Sequence, residues 1–240
     1  MNKRFTVALL LAAGTGAVLL LLFSPLFAFQ EVTVTGNTFV SAEEIVAQAQ
    51  AEGGNFFLFS PPQTRARIME NLYIGGVTFR RAFPNRLYIT VNERFLSGYV
   101  EFLDGRFLFI DEHGRVLEVG SYLPRPLPII TGLRPPHFQL GELLETDSPD
   151  AFRAMVTYGR LLSLHPVTPS EEPLRLDISN PRDVRLRLYH FEVYLGGIEN
   201  ANEKVHTLQA IIGHWPAIRE TRGFLDLRHP GDRFVFRVLT

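Results

Sequence analysis

The chain has 240 residues, with 24 basic and 25 acidic side chains and a formal net charge of −1. That balance argues against nucleic acid as a partner, because a basic footprint is what such a partner needs. Cysteine is absent, which removes disulfides, thiolate metal sites and lipid attachment through cysteine, so the 20 Phe side chains must supply stability by packing.

Residues 5–29 form one apolar run, entered through Lys3 and Arg4 and left through Gln30 and Glu31. About 25 residues at about 1.5 Å each exceed the roughly 30 Å hydrocarbon core of a bilayer. Cations before the run and an anion after it put residues 1–4 in the cytoplasm and everything from about Gln30 outside, with Lys3 and Arg4 setting the orientation. The rival is a cleaved secretory signal, whose apolar core is about 7–15 residues with small residues before the cut. Here the run is longer, and Leu26-Phe27-Ala28 places Leu where a small side chain is wanted, so an uncleaved single-pass anchor is the reading. Residues 1–4 leave little chain for contacts inside the cell. The remaining length suits one large or two small folded domains.

From Phe29 to Thr35 apolar and polar residues alternate, which predicts a strand ending at the turn Gly36-Asn37. Ser41 stands three residues before Glu44, the capping-box spacing, and Ala42, Ile45, Val46 and Ala49 continue a helix stopped by Gly53-Gly54. A second helix follows Pro61-Pro62 and closes at Gly75-Gly76. Val77 and Phe79, a Pro84-Asn85 turn, then Leu87, Ile89 and Val91 make a hairpin. Strand, helix, helix, strand, strand over residues 30–94 predicts a small α+β domain, two helices on one face of a three-stranded sheet. Arg80, Arg81, Arg86 and Arg94 gather around the hairpin, either as a lipid-facing basic surface or as a solvated strand face.

Residues 95–240 predict a second, mixed domain with an antiparallel sheet and at least two helices. Asp104-Gly105 and His113-Gly114 are turns of a meander, and Ser121 to Glu145 reads mostly as loop. Ser148-Pro149 caps a helix carrying Phe152, Met155, Val156 and Leu162. Period-two strands follow at Leu174 to Ile178, Val184 to Leu188 and Phe191 to Leu195, then a helix from about Asn202 to Gly213. Gly223 to Leu227 and about Arg233 to Leu239 are the last strands. No linker separates Arg94 from Phe95.

No HExxH, GxSxG or GxxxxGK[ST] motif occurs, and no two histidines stand at i+3 or i+4 for a zinc site on one helix. Carboxylate pairs such as Asp104 with Asp111 are ordinary loop acids without a cleft around them. The chain therefore reads as non-enzymatic, with no metal, cofactor or small-molecule substrate.

Phe29 to Asn37 (FQEVTVTGN), the helix opening Ser41 to Ile45 and the hairpin Arg80 to Arg94 (RRAFPNRLYITVNER) resemble a POTRA domain, and in particular the one that follows the membrane helix in the bacterial FtsQ/DivIB cell-division family. Asp104 to Glu118 (DGRFLFIDEHGRVLE), Leu127 to Gly132 (LPIITG) and Gly223 to Arg228 (GFLDLR) resemble that family's β domain. The resemblance implies a non-enzymatic divisome scaffold of the cell membrane at the division septum, helping control septal peptidoglycan synthesis. It implies a POTRA domain used in recruitment, and a β domain that docks FtsB/DivIC-like and FtsL-like partners by strand addition beside the last strand. The implied docking residues are Phe224, Asp226, Arg228, Phe234, Val235, Phe236, Arg237 and Val238. The residues agree: the final strand has Phe234, Phe236 and Val238 on one face and Val235, Arg237 and Leu239 on the other, and no later element follows to cover its edge. Phe236→Glu is then expected to abolish docking without unfolding the domain. The alternative is a POTRA-bearing envelope transport or assembly factor, against which no aromatic-girdled strand series for a barrel appears.

Overall fold

A computed structural model describes residues 3–167, 174–215, 221–229 and 235–238, apart from the side chains of 3–6, 17–19, 21, 22 and 104. The chain divides into two compact units, Met1–Arg94 and Phe95–Thr240. Each has its own apolar core.

The first unit opens with α1 (Lys3–Leu22). The apolar run does not stay helical to Phe29, and Pro25 is the reason. A residue before proline is pushed out of the helical region, and Ser24 is extended at φ −64°, ψ 141°, followed by one 3-10 turn over Pro25–Phe27. The rest of the run belongs to the domain: Phe27 and Phe29 are buried, and Phe29 joins the core. Among the described residues no helix is long and apolar enough to cross a membrane. Several α1 side chains lie outside those residues, although its sequence carries no charge after Arg4.

β1 (Glu31–Thr35), α2 (Ala42–Ala49), α3 (Pro61–Ile68), β2 (Ile74–Ala82) and β3 (Arg86–Glu93) complete the unit. The sheet order is β1-β3-β2, with β1 parallel and β2 antiparallel to β3. Ile45, Ile68, Leu87 and Ile89 are fully buried between the helices and the sheet. Ser41 caps α2 by accepting from the Glu44 N–H at 3.1 Å. Glu44 does not return the bond described by a capping box; its Oε1 instead accepts from Gln48 at 3.1 Å and from Asn71 at 2.9 Å, tying α2 to the chain after α3. Two glycine stops are also corrected. α2 ends on Gln50 in the left-handed region at φ 49°, ahead of Gly53-Gly54. Gly75-Gly76 lies inside β2 at a register shift, where an irregular strand accommodates residues without side chains.

The second unit contains β4 (Leu96–Glu101), β5 (Phe107–Asp111), β6 (Val116–Gly120), β7 (Ile129–Thr131), α4 (Pro149–Leu164), β8 (Arg175–Asp177), β9 (Val184–Leu188), β10 (Phe191–Gly196), α5 (Ala201–His214), β11 (Gly223–Asp226) and β12 (Val235–Val238). Among the described residues these strands form one sheet in the order β12-β11-β10-β9-β8-β7-β4-β5-β6. The expected antiparallel sheet is in fact mixed: β7 runs parallel to both β4 and β8, and β11 parallel to β10. β7 lies within the stretch read as loop, and its Ile129 and Ile130 are buried at the sheet's centre. One face buries Leu186, Val193 and Leu225 in a core shared with Tyr158 and Leu162 of α4 and Val205 and Leu208 of α5. The turn after β5 is folded by the buried Asp111, whose Oδ1 accepts from the His113 and Arg115 N–H groups at 2.9 and 2.8 Å.

Candidate partner-binding edge

A parallel strand and then an antiparallel one bring the chain to the rim of the large sheet. β11 adds beside β10, pairing Phe224 with Glu192 and Asp226 with Tyr194. β12 then turns back on β11, pairing Gly223 with Val238, Phe224 with Arg237, Leu225 with Phe236 and Asp226 with Val235. Among the described residues β12 pairs with β11 alone and is the sheet's outermost strand on that side. An outermost strand has backbone donors and acceptors on the side that no described strand pairs.

The two faces of β12 are held differently. Inward, the Phe236 ring stacks on Phe191 of β10 (centroids 5.5 Å apart, planes 22°) and meets Trp215 edge-on at 4.6 Å. Outward, the Arg237 guanidinium lies 5.7 Å from the Phe224 ring centre, and Phe224 is 5.5 Å from Tyr194. Val235 is 57% and Val238 48% exposed. Gly223 makes the approach possible: a Cβ there would fall 2.7 Å from the Phe191 ring and 2.3 Å from the Arg237 carbonyl oxygen.

Asp226 and Arg228 satisfy each other. Arg228 Nε donates to Asp226 Oδ1 at 2.9 Å, and the Arg228 backbone N–H reaches the same oxygen at 3.1 Å. The Arg228 side chain thereby holds the Asp226 carboxyl below the usual carboxylate range. The same guanidinium lies 5.6 Å from the Tyr194 ring centre, so it braces β10 against the segment after β11. The pair shapes the rim from within.

The structure therefore brings Phe224, Asp226, Arg228, Val235, Phe236, Arg237 and Val238 to one end of the sheet, whereas Phe234 lies outside the described residues. Lys3 and Arg4 form the start of α1. Phe191, Tyr194 and Trp215 were missed as supports of the rim. Phe191 and Tyr194 lie on opposite faces of a period-two strand whose pattern was legible, but Trp215 sits beyond α5 without a periodic signal. Since Phe236 is wedged between Phe191 and Trp215, a Glu there disturbs packing as well as the rim, and Val235 and Val238 are the cleaner probes. His165 and His206 come together with rings 4.5 Å apart, a contact no spacing revealed. Among the described residues no three His, Asp or Glu side chains gather as a metal site.

A helix pair over a three-stranded sheet, followed by a mixed sheet ending in a rim strand, defines a POTRA-bearing α+β protein. Residues 27–94 match the FtsQ-type POTRA domain, starting at the Phe27 that the fold buries. The cell-division protein DivIB of Clostridium tetani is 24% identical over 215 residues, covering 88% of this chain and 80% of that protein. The cell-division protein FtsQ of Syntrophotalea carbinolica is 30% identical over 132 residues, 53% of this chain and 45% of that protein. DivIB of Bacillus subtilis is 26% identical over 125 residues, 51% and 45% respectively. The chain thus carries an FtsQ-type POTRA domain and is similar, along most of its length, to bacterial cell-division proteins named DivIB and FtsQ.

Proposed function

We infer that the protein is a single-pass membrane scaffold of the divisome, with its amino terminus in the cytoplasm and both folded units outside. On this reading α1 spans the bilayer, and β12 accepts a strand from an FtsB/DivIC-like partner that acts together with an FtsL-like one. Septal peptidoglycan synthesis is then controlled through the assembly, without chemistry in this chain. The observation that carries the docking step is the rim position of β12, whose exposed Val235 and Val238 flank an edge that no described strand covers. Strand addition supplies affinity through main-chain bonds and specificity through the flanking side chains. The α1 sequence supports the anchor: twenty residues at about 1.5 Å per residue reach about 30 Å, the thickness of a bilayer core.

The test is capture of the purified FtsB/DivIC-like protein of the same bacterium by the full chain in detergent. Adding Val235→Glu and Val238→Glu together puts two carboxylates where strand addition would desolvate them. Capture is expected to weaken by at least roughly tenfold, about 1.4 kcal/mol, while circular dichroism and melting stay as in the parent, because both side chains are exposed. Equal capture by parent and variant would remove the docking claim.

A further inference from the structure

The first unit carries an apolar surface that its own core does not use. Phe23, Leu26, Phe57, Leu58 and Phe83 are 62, 70, 45, 63 and 68% exposed. Phe57 and Phe83 are not scattered singly. The buried Phe27 ring touches Phe57 edge-on at 5.0 Å and Phe83 at 5.7 Å, and Phe56 stands 5.4 Å from Phe57 and 6.0 Å from Phe83. Contiguous exposed apolar surface of this kind marks an interaction site, whereas single exposed side chains need no explanation.

The patch is built where the chain leaves α1. The Phe56 N–H donates to the Phe27 carbonyl at 2.8 Å, and the Phe29 N–H to the Gly54 carbonyl at 2.8 Å, so the loop after α2 is stapled to the segment after the helix. Asn55 Oδ1 accepts from the Phe57 N–H at 2.8 Å and shapes the loop that presents Phe57 and Leu58. Five residues from Leu22 to Phe27 span at most about 17 Å. Whatever the angle between α1 and the sheet, Phe27, against which Phe57 and Phe83 pack, therefore lies within that reach of the helix end.

Basic side chains outnumber acidic ones around it. The stretch 53–92 contains Arg65, Arg67, Arg80, Arg81 and Arg86 against one acidic residue, Glu70. Arg81 is fixed at the margin, donating to the Phe56 carbonyl at 2.7 Å with its guanidinium 5.2 Å from the Phe56 ring centre. Arg86 pairs with Glu31 at 2.9 Å. Aromatic and aliphatic side chains backed by arginine suit an anionic lipid interface, where rings sit at headgroup level and cations meet phosphate.

We propose that Leu26, Phe57, Leu58 and Phe83 dip into the outer surface of the membrane that α1 spans, so that the POTRA unit is seated on the lipid by a second contact. This rests on the reading of α1 as the anchor, since the occupant is chosen by continuity with it. Seating removes apolar surface from water, and it brings Arg81, at the patch margin, to the lipid headgroups. The helix then fixes the domain's place, and the patch fixes its tilt.

The test uses the full chain reconstituted in phosphatidylcholine vesicles containing phosphatidylglycerol, in a Trp215→Phe background that removes the chain's single Trp. One Trp is then placed in turn by Phe57→Trp, Phe83→Trp, Leu11→Trp and Phe39→Trp. Phe39 is also an exposed aromatic, but its N–H is bound by Glu93, at the end of β3 opposite the Phe83 turn and roughly 23 Å away along the strand. Brominated acyl chains are expected to quench Trp at 57 and 83 at least roughly twofold more than Trp at 39, as for rings about 5–10 Å into the interface, and Trp at 11 most of all. If Trp at 11 is quenched while 57 and 83 stay accessible to aqueous iodide, the anchor stands and the seating falls, leaving the patch to a protein or a second copy. If Trp at 11 is not quenched, the anchor reading fails and takes the seating with it. Leu58→Trp reads the same surface where a larger ring at 57 disturbs the packing on Phe27.

Discussion

The Gly197 carbonyl accepts from two side chains on different helices. Tyr158 of α4 donates to it at 2.7 Å and Lys204 of α5 at 3.0 Å, and both side chains are buried. The oxygen thus ties the two helices to the loop after β10. Burial raises the Tyr158 hydroxyl's pKa well above the ordinary value and lowers that of the Lys204 ammonium, the latter partly opposed by Glu199. Either donor alone keeps the carbonyl satisfied. Tyr158→Phe and Lys204→Met are therefore expected to cost no more than about 1 kcal/mol each, whereas the double variant orphans the oxygen and costs more than the sum by about 0.5–3 kcal/mol. The pH dependence has a definite sign. With the folded pKa of Lys204 below its unfolded value of about 10.4, the unfolded chain holds more protons between the two. The cost of burying the charged ammonium is complete below the folded pKa and fades as pH rises toward the unfolded one. Relative to the parent, Lys204→Met is thus most favoured at neutral pH and loses that advantage in alkali. Denaturant melts of the four proteins at two pH values check both statements, and strict additivity would contradict the shared acceptor.

At the scale of elements, α4 shows local sequence deciding a boundary. Ser148 Oγ accepts from the Ala151 N–H at 3.1 Å and Pro149 occupies the first helical position, where its missing N–H costs nothing. Ser148→Ala is expected to lower stability by about 1 kcal/mol, read as a lower urea midpoint with an unchanged slope. An unchanged midpoint would mean the cap is replaceable by water. This boundary was legible because cap chemistry is local, and β9 and β10 were legible because alternation repeats over several residues. β7 was not: three residues among prolines carry no period, and its strand state depends on β4 and β8, distant in sequence. Parallel pairing escaped for the same reason, since period two shows which face is buried and not which strand lies alongside. The end of α1 was readable in principle from Ser24-Pro25, but hydropathy counted Phe27 and Phe29 as apolar without distinguishing lipid from a protein core. At the rim, the period gave the alternation of β12, while the Phe191–Phe236–Trp215 cluster arises only when β10, α5 and β12 converge.

At the scale of the whole molecule, the two units keep separate cores: Ile45, Ile89 and their neighbours in one, Val193, Leu225 and theirs in the other. A change at the β12 rim is therefore expected to leave the core of the POTRA unit intact. If the POTRA unit recruits the protein, as the family resemblance implies, and β12 docks its partner, recruitment and docking are separable by mutation. A fluorescent fusion of the full chain is expected to form a midcell band in dividing cells. The same fusion carrying Val235→Glu with Val238→Glu is expected to keep that band while the labelled FtsB/DivIC-like partner fails to gather there. Diffuse envelope staining of the parent fusion would sink the division-site reading. Loss of the band in the variant alone would show that the protein is held at midcell through its β12 rim, so that docking precedes recruitment and the POTRA unit is insufficient for it.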